Sequence, residues 1–285
     1  MGKGKGKKQR RGPFLSLFLS IFASATILSQ LPQGVKAFHL ELSPQTVLQQ
    51  EELVKLGKKV YLKYCVGCHG EKGDGNGKAA KMLVTPPRDF TVATFKFRTT
   101  PSGSLATDED LFRTISRGVP RSSMPSWSLV SERERVGVIQ YIKAFSERWK
   151  TEKPERAISI GEVPEYVGTP ESVSKGKEVY KQMKCAECHG ETGKGDGPSA
   201  PTLKDDFGRP IKAFNFTLGI LKGGPTVKDI YRTFTTGLDG TPMPSFADSL
   251  PTDEERWHLV SYILELMGKI KKKVHLERFT LKGDA

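Results

Sequence analysis

The feature that most constrains this chain of 285 residues is an internal repeat. A segment that starts at Gly57 and ends in Cys-Val-Gly-Cys-His-Gly-Glu returns at Gly176, where it ends in Cys-Ala-Glu-Cys-His-Gly-Glu. The block Met-Pro-Ser-Trp at Met124 returns as Met-Pro-Ser-Phe at Met243. The matching blocks lie about 120 residues apart, whereas solenoid repeats are only about 20–50 residues long. The chain therefore contains two copies of one domain.

Each copy has the pattern of a helix, a glycine-rich loop and a later helix. In the first copy, four apolar residues recur at helical spacing directly before the cysteines. They are Leu53, Leu56, Val60 and Tyr64. The late helix of each copy is predicted to start at a capping box, Ser131 with Glu134 in the first copy and Thr252 with Glu255 in the second.

All four cysteines of the chain fall in two Cys-x-x-Cys-His motifs. They are Cys65, Cys68 and His69 in the first copy, and Cys185, Cys188 and His189 in the second. This motif is typical of covalent haem attachment. Two thiols on one helical turn can each form a thioether with a haem vinyl group, and the adjacent histidine can supply a nitrogen to the iron. The sequence therefore predicts two covalently attached c-type haems, one in each copy.

Three other uses of paired cysteines remain as alternatives. A thioredoxin-type pair needs no histidine after the second cysteine and lies among alternating strands and helices, which this sequence does not indicate. A single zinc site would have to join two pairs that are roughly 116 residues apart, far beyond the usual spacing of zinc ligands. Structural disulfides are the third alternative, because they persist outside the cytoplasm.

The second axial position of each iron decides whether the haem carries electrons or binds a substrate. Met124 and Met243 are the best candidates, because each lies in a loop between two predicted helices at a matching place in its copy. Pro125 and Pro244 follow them and would stiffen the loops. Three histidines outside the motifs have no counterpart in the other copy and are weaker candidates. They are His39, His258 and His275.

Residues 1–37 have the pattern of a secretory signal peptide. A basic head that ends in Arg10 and Arg11 precedes a short apolar stretch, which small residues follow. We expect this segment to be cleaved, with an uncleaved membrane anchor as the alternative; a spanning helix needs roughly 20 apolar residues, and this stretch is shorter. The segment holds seven basic residues and no acid, which is more than half of the net charge of +13. The charge therefore indicates export and not the basic, aromatic-interleaved surface of a nucleic-acid binder.

With these motifs the sequence resembles the class I c-type cytochromes in a tandem di-haem form, over roughly residues 50–147 and 173–267. The resemblance implies a mainly α fold, in which two tandem cytochrome c-like helical domains each wrap around one covalently bound haem. It also implies that the first and last helices of each domain cross. The residues expected to meet are Gly57 and Tyr61 with Val138 and Tyr141, and Gly176 and Tyr180 with Leu259 and Tyr262. Haem attachment in this family follows export of an unfolded chain, so we discount a twin-arginine signal.

The expected order of parts is a signal peptide or anchor (1–37), a first cytochrome c domain (45–149), a proline-containing linker (150–172), a second domain (173–268) and a basic tail (269–285). The lysines of the tail could dock an acidic partner or a lipid surface, or be an ordinary solvated helix end. In the insert before the first methionine loop, Arg88 or Arg98 could pair with a haem carboxylate or lie in a solvated loop. The loop at 70–77 is expected at a haem edge, because a phosphate-binding loop would follow a strand.

The sequence thus predicts an exported electron carrier in which both irons have histidine and methionine ligands and no substrate reaches the iron. Its partners would be redox proteins that donate and accept single electrons, in the periplasm or on the outer face of the cytoplasmic membrane. Two alternatives remain: a di-haem enzyme with one open, peroxidase-like haem site, or an electron-transfer subunit of a larger membrane-bound respiratory complex. Contact with the membrane is expected only if the N-terminal segment is retained, and nucleic acid is not expected as a partner.

Overall fold

The computed structural model describes residues 44–270, so the predicted signal peptide (1–37) and most of the predicted tail (269–285) lie outside the described residues. The helices of the first half are α1 (Pro44–Tyr64), α2 (Val66–His69), α3 (Asp108–Arg117), α4 (Glu132–Lys143) and α5 (Arg148–Thr151). Those of the second half are α6 (Pro170–Gln182), α7 (Ala186–His189), α8 (Val227–Thr236) and α9 (Asp253–Leu266). Within the described residues, β pairing is limited to one isolated bridge between Lys204 and Pro210, which confirms the mainly α prediction.

The first and last long helices of each half cross at a glycine. A Cβ atom on Gly57 of α1 would lie 1.9 Å from the carbonyl oxygen of Gly137 in α4. A Cβ atom on Gly176 of α6 would lie 1.9 Å from the carbonyl oxygen of His258 in α9. Only glycine allows the two backbones to approach this closely. The crossings predicted from the resemblance are therefore confirmed in both halves.

Tyrosine pairs pack beside both crossings. The ring centroids of Tyr61 and Tyr141 lie 5.3 Å apart, and those of Tyr180 and Tyr262 lie 5.2 Å apart. Burial on α1 centres on Gly57 and Tyr61, whereas Tyr64, the last residue of the predicted apolar face, is exposed.

Four helices begin at a complete or partial capping box. The box of Ser131 with Glu134 is confirmed. The box of Thr252 with Glu255 is one-sided: Thr252 Oγ1 accepts a hydrogen bond from the Glu255 amide, but the Glu255 carboxylate contacts the hydroxyl of Thr252. Two further boxes, which the sequence analysis missed, start α3 and α8. They join Thr107 with Asp110 and Thr226 with Asp229.

Each half has a hydrophobic core of its own. The first is built around Tyr61, Leu105 and Ile139, and the second around Tyr231 and Val260. Two separate cores are what a tandem arrangement of domains requires. In residues 44–270, no helix has both the length and the apolar character that crossing a membrane would need.

The two halves contact each other through a buried arginine. The guanidinium of Arg98 is fully buried, and its Nη2 lies 2.7 Å from Asp239 Oδ1 and donates to Thr236 O at 2.8 Å. The carboxylate of Asp239 also accepts hydrogen bonds from Ser102 Oγ at 2.7 Å and from the Gly103 amide at 2.9 Å. These bonds join the first half to the second half directly.

The segment between α5 and α6 is irregular over most of its length and is tied to both halves. The amide of Ile158 donates to Thr99 O at 2.8 Å in the first half. Farther along, Tyr166 and Val167 pack against the core of the second half. The described residues, 44–270, accordingly form one compact unit.

Candidate haem sites

The glycine-rich loop after each motif folds back over the motif helix. In the first half, the amides of Gly75 and Gly77 donate to the carbonyl oxygens of His69 and Cys68 at 3.0 and 3.1 Å. The matching glycines of the second half repeat both bonds. A Cβ atom on Gly77 would lie 2.4 Å from the carbonyl oxygen of Gly67, so this position requires glycine. The loop therefore packs over the motif helix and holds it in place.

A buried tyrosine ties the start of each loop to the crossing helices. The hydroxyl of Tyr61 donates to Gly70 O at 2.6 Å, and that of Tyr180 donates to Gly190 O at 2.8 Å. Burial raises the pKa of both hydroxyls, so they remain protonated donors at neutral pH. The same side chains therefore link the helix crossing to the cysteine motif.

Each motif histidine is oriented by a backbone carbonyl. Nδ1 of His69 lies 3.0 Å from Arg88 O, and Nδ1 of His189 lies 3.0 Å from Phe214 O. A carbonyl can only accept, so Nδ1 carries the proton and Nε2 keeps its lone pair. Burial lowers the pKa of both imidazoles, which favours the neutral form that a metal requires. An outer contact of this kind is typical of histidines that ligate metals.

A short repeated motif that the sequence analysis missed lies beside these contacts. It is Asp89-Phe90-Thr91 in the first half and Asn215-Phe216-Thr217 in the second. The first side chain of each motif accepts hydrogen bonds from the amide and the hydroxyl of the threonine. The phenylalanine rings stack on the motif histidines, with centroids 4.5 and 4.6 Å apart. The repeat is hard to see in the sequence because the carbonyl that holds the histidine follows it by 19 residues in one half and by 25 in the other.

The two methionine loops are closed by matching hydrogen bonds. The amide of Val119 donates to Met124 O at 2.9 Å, and Ser126 Oγ donates to Ser116 O at 2.6 Å. The second half repeats both bonds at 3.0 and 2.6 Å. The partners there are Leu238 with Met243 and Ser245 with Thr235. The serine of each Met-Pro-Ser block therefore anchors the loop to α3 or α8, which fixes the position of the methionine.

In the first half, one cavity brings the predicted site residues together. Its walls include Cys65, Cys68 and His69 of the first motif, and also Met124, which lies more than 50 residues later in the sequence. Most of the other lining side chains are apolar or aromatic. An apolar cavity bordered by two thiols, an imidazole and a thioether fits the chemistry of a c-type haem.

In the second half, three of the four corresponding residues contact the second core. Cys185 and Met243 pack against that core, and His189 stacks on Phe216, which belongs to it. A thiol, an imidazole and a thioether of the second half therefore contact one core.

The four cysteines all lie partly buried and form no disulfide within the described residues. The residues that the structure describes contain no group of three or more His, Cys, Asp or Glu side chains placed to hold a metal ion. The single zinc site considered above is thus not assembled in this range.

The weaker candidates for the second axial position occupy other places. The ring of His258 is buried in α9, and its Nδ1 lies 2.8 Å from Ser172 Oγ. Three methionines outside the Met-Pro-Ser blocks are placed differently from Met124 and Met243: Met82 is exposed, Met183 packs on the second core, and Met267 is buried within it. The remaining histidines, 39 and 275, lie outside the described residues.

The cavity of the first half also has a cationic side. Arg88, Lys96 and Lys222 line it, and within the described residues none of the three forms an ion pair with a carboxylate. Burial, together with the charges of Arg88 and Lys222, lowers the pKa of Lys96 to about 8. Buried cations are costly without a compensating anion. Haem brings two carboxylates, so this side of the cavity also fits the cofactor.

Of the two arginines considered for a haem carboxylate, only Arg88 lines the cavity. Arg98 faces the other half of the chain, where Asp239 is its partner. Its role in joining the domains could not be read from the sequence, because the two residues lie far apart along the chain.

Comparisons with known proteins place this arrangement in a class. Residues 173–267 match the family Cytochrome c, and residues 52–142 match the family described as "Cytochrome C oxidase, cbb3-type, subunit III". The chain belongs to the c-type cytochromes: it has two cytochrome c domains in tandem and carries two covalently bound c-type haems. The Cys-x-x-Cys-His motifs fit this attachment.

Particular relatives are subunits of larger assemblies. A chain of the "Kuenenia stuttgartiensis reducing HAO-like protein complex Kustc0457/Kustc0458" is 49% identical, with a TM-score of 0.72; the match covers 74% of this chain and 96% of that one. The "Cbb3-type cytochrome c oxidase subunit CcoP" of Helicobacter pylori (strain ATCC 700392 / 26695) is 26% identical over 170 residues, which are 59% of this chain and 49% of the relative. The same subunit from strain 52 is also 26% identical. The aligned region thus spans about half the length of these curated relatives.

Proposed function

We propose that this protein is an exported di-haem electron carrier whose irons both have one histidine and one methionine as axial ligands. The observation that carries the proposal is a pair of elements repeated in both halves: a histidine held through Nδ1 by a carbonyl, and a methionine held in a hydrogen-bonded loop. In the first half, His69 and Met124 line the same cavity. Because both halves repeat these contacts, we expect both haems to perform the same reaction, the transfer of one electron.

The protein groups would define how each site works. Nε2 of His69 and of His189 would face the iron from one side, and the sulfur atoms of Met124 and Met243 from the other. When bound, the haem supplies a one-electron couple, which methionine ligation raises in potential. The apolar walls would exclude water and keep the iron closed to substrates. The cysteines would hold the group covalently through thioethers.

We also propose that the chain works as an electron-transfer subunit of a larger redox complex. The solved relative at 49% identity belongs to a complex of two named proteins, and the curated relatives are oxidase subunits. The partners of this chain would accordingly be redox proteins that give or take one electron at a time. Location in the periplasm, or on the outer face of the cytoplasmic membrane, follows from the export signal predicted at residues 1–37.

The test is a visible spectrum of the purified holoprotein, first oxidised and then reduced, with carbon monoxide added to the reduced form. Two closed sites should give a sulfur-to-iron charge-transfer band in the oxidised protein and no spectral change with carbon monoxide. Binding of carbon monoxide at one haem would contradict the proposal. That result would favour a di-haem enzyme with one open, peroxidase-like site.

A further inference from the structure

We propose that Lys222, a side chain of the second domain, belongs to the haem site of the first domain and raises the reduction potential of that haem. The inference rests on the proposed carrier function and adds a residue that the duplicated motifs do not contain. If Lys222 acts in this way, the contact between the domains helps to set the difference between the reduction potentials of the two haems.

The placement of Lys222 is the first support. Its side chain lines the cavity that also contains Cys65, His69 and Met124, although these residues precede it by about 100 positions or more. Lys222 directly follows Leu221, which is buried in the core of the second half. The lysine therefore extends from one domain's core region into the other domain's cavity.

The backbone around Lys222 is held in place. The carbonyl of Gly223 accepts a hydrogen bond from Arg232 Nη2 at 2.6 Å. A Cβ atom on Gly223 would lie 3.3 Å from the ring of Phe97, so this segment lies tightly against the first half. Nearby, Arg117 of the first half lies 3.3 Å from the carboxylate of Asp229 in the second. These contacts fix the segment that carries Lys222 at the boundary between the domains.

The electrostatic surroundings give the direction of the effect. Lys222 is half-buried and shares the cavity with Arg88 and Lys96. None of the three has a carboxylate partner among the described residues. Reduction of a ferric haem removes one positive charge from the site, so a nearby cation stabilises the reduced form relative to the oxidised form. Pairing of the lysine with a haem carboxylate acts in the same direction.

The experiment is a spectroelectrochemical titration of the holoprotein, in which each haem gives a one-electron wave. The Met124→Ala variant assigns the waves: the wave that moves in this variant belongs to the first haem, because Met124 lines its cavity. Lys222→Met keeps the length of the side chain and removes the charge, whereas Lys222→Arg keeps the charge. The matched control is Lys228→Met, since Lys228 lies in the same half, pairs with Glu162 and does not line the cavity.

We expect Lys222→Met to raise the ferric-to-ferrous ratio of the first haem about tenfold at a fixed potential, which for one electron corresponds to a shift of about 59 mV to lower potential. The second wave should stay in place. Lys222→Arg should keep the wild-type wave, and Lys228→Met should move neither wave. The inference is overturned if Lys222→Met moves no wave, or if Lys222→Arg moves the first wave equally. Failure of the carrier function would show separately, as binding of carbon monoxide to the wild-type protein.

Discussion

Around the cavity of the first domain, three apolar side chains point into solvent: Met82, Val84 and Leu129. The matching positions of the second domain hold Thr202, Lys204 and Asp248. Inside the sites, by contrast, both domains retain the histidine held by a carbonyl, the stacked phenylalanine and the hydrogen-bonded methionine loop. The buried contacts that define the site are thus the same in both domains, whereas the exposed surface around it differs.

Arg88 and Phe214 make the same point at one matched position. Both residues hold the motif histidine through their backbone carbonyls, at the same distance of 3.0 Å. Their side chains differ completely: Arg88 lines a cationic side of the cavity, and Phe214 packs on the second core. The backbone role is thus common to both domains, and the side-chain role is particular to each.

The largest expected effect comes from removing the methionines one at a time. Met124→Ala should open only the first haem to carbon monoxide, and Met243→Ala only the second, because each sulfur would close a separate iron. The measurement is the number of carbon monoxide molecules bound per reduced protein, with one expected for each single variant and two for the double variant. A single variant that binds none would contradict ligation by that methionine.

The second effect concerns the contact between the domains. Arg98→Met should lower the free energy of unfolding by about 3–5 kcal/mol, because it removes a fully buried guanidinium and leaves the largely buried carboxylate of Asp239 without its partner. Arg117→Met is the matched control and should cost less than about 1 kcal/mol, since Arg117 is 42% exposed and its pair is partly screened. Both values can be measured by urea titration.

Cleavage within residues 150–172 tests the same contact between the domains. The two fragments should stay together on size exclusion in the wild-type protein and separate more readily in Arg98→Met. Equal losses of stability for the two arginine variants would mean that the buried pair does not join the domains.

The third effect tests the helix crossings. Gly57→Ala and Gly176→Ala should each destabilise the protein by about 1–3 kcal/mol or more, because the added Cβ atoms would meet backbone carbonyls at 1.9 Å. Gly176→Ala should cost more, since its Cβ would also lie 2.9 Å from Tyr262 Cβ. Gly67→Ala is the control: no atom lies within 4 Å of its added Cβ, and thermal unfolding should show little loss. A comparable loss at Gly67 would refute the steric explanation.

The smallest effect on stability is expected for the exposed residues around the cavity, which differ between the two domains. Val84→Lys and Leu129→Asp replace first-domain residues with those of the second, and each should change stability by no more than about 0.5 kcal/mol because both side chains are exposed. Thermal unfolding of the holoproteins provides the measurement. A loss of several kcal/mol would mean that these residues support the fold and that their divergence was constrained.

Sequence motifs predicted much of the site because covalent chemistry restricts them narrowly. The two cysteines and the histidine must lie on one turn of helix, and the resemblance then placed the crossing of Gly57 and Gly176 correctly. The repeated Asp/Asn-Phe-Thr motif at Phe90 and Phe216 was missed, since its distance from the histidine differs between the halves. A search for short repeats without a fixed offset would have found it.

By itself, the sequence determined the duplication, the mainly helical class and the two haem attachments, because these depend on local spacing and on a motif with few other uses. Only the tertiary structure decided which side chains meet across long distances along the chain. It paired Arg98 with Asp239 and brought Lys222 to the cavity of the other domain. The physical reason is that contacts between domains depend on how two finished surfaces fit, and no periodicity along the chain encodes that fit.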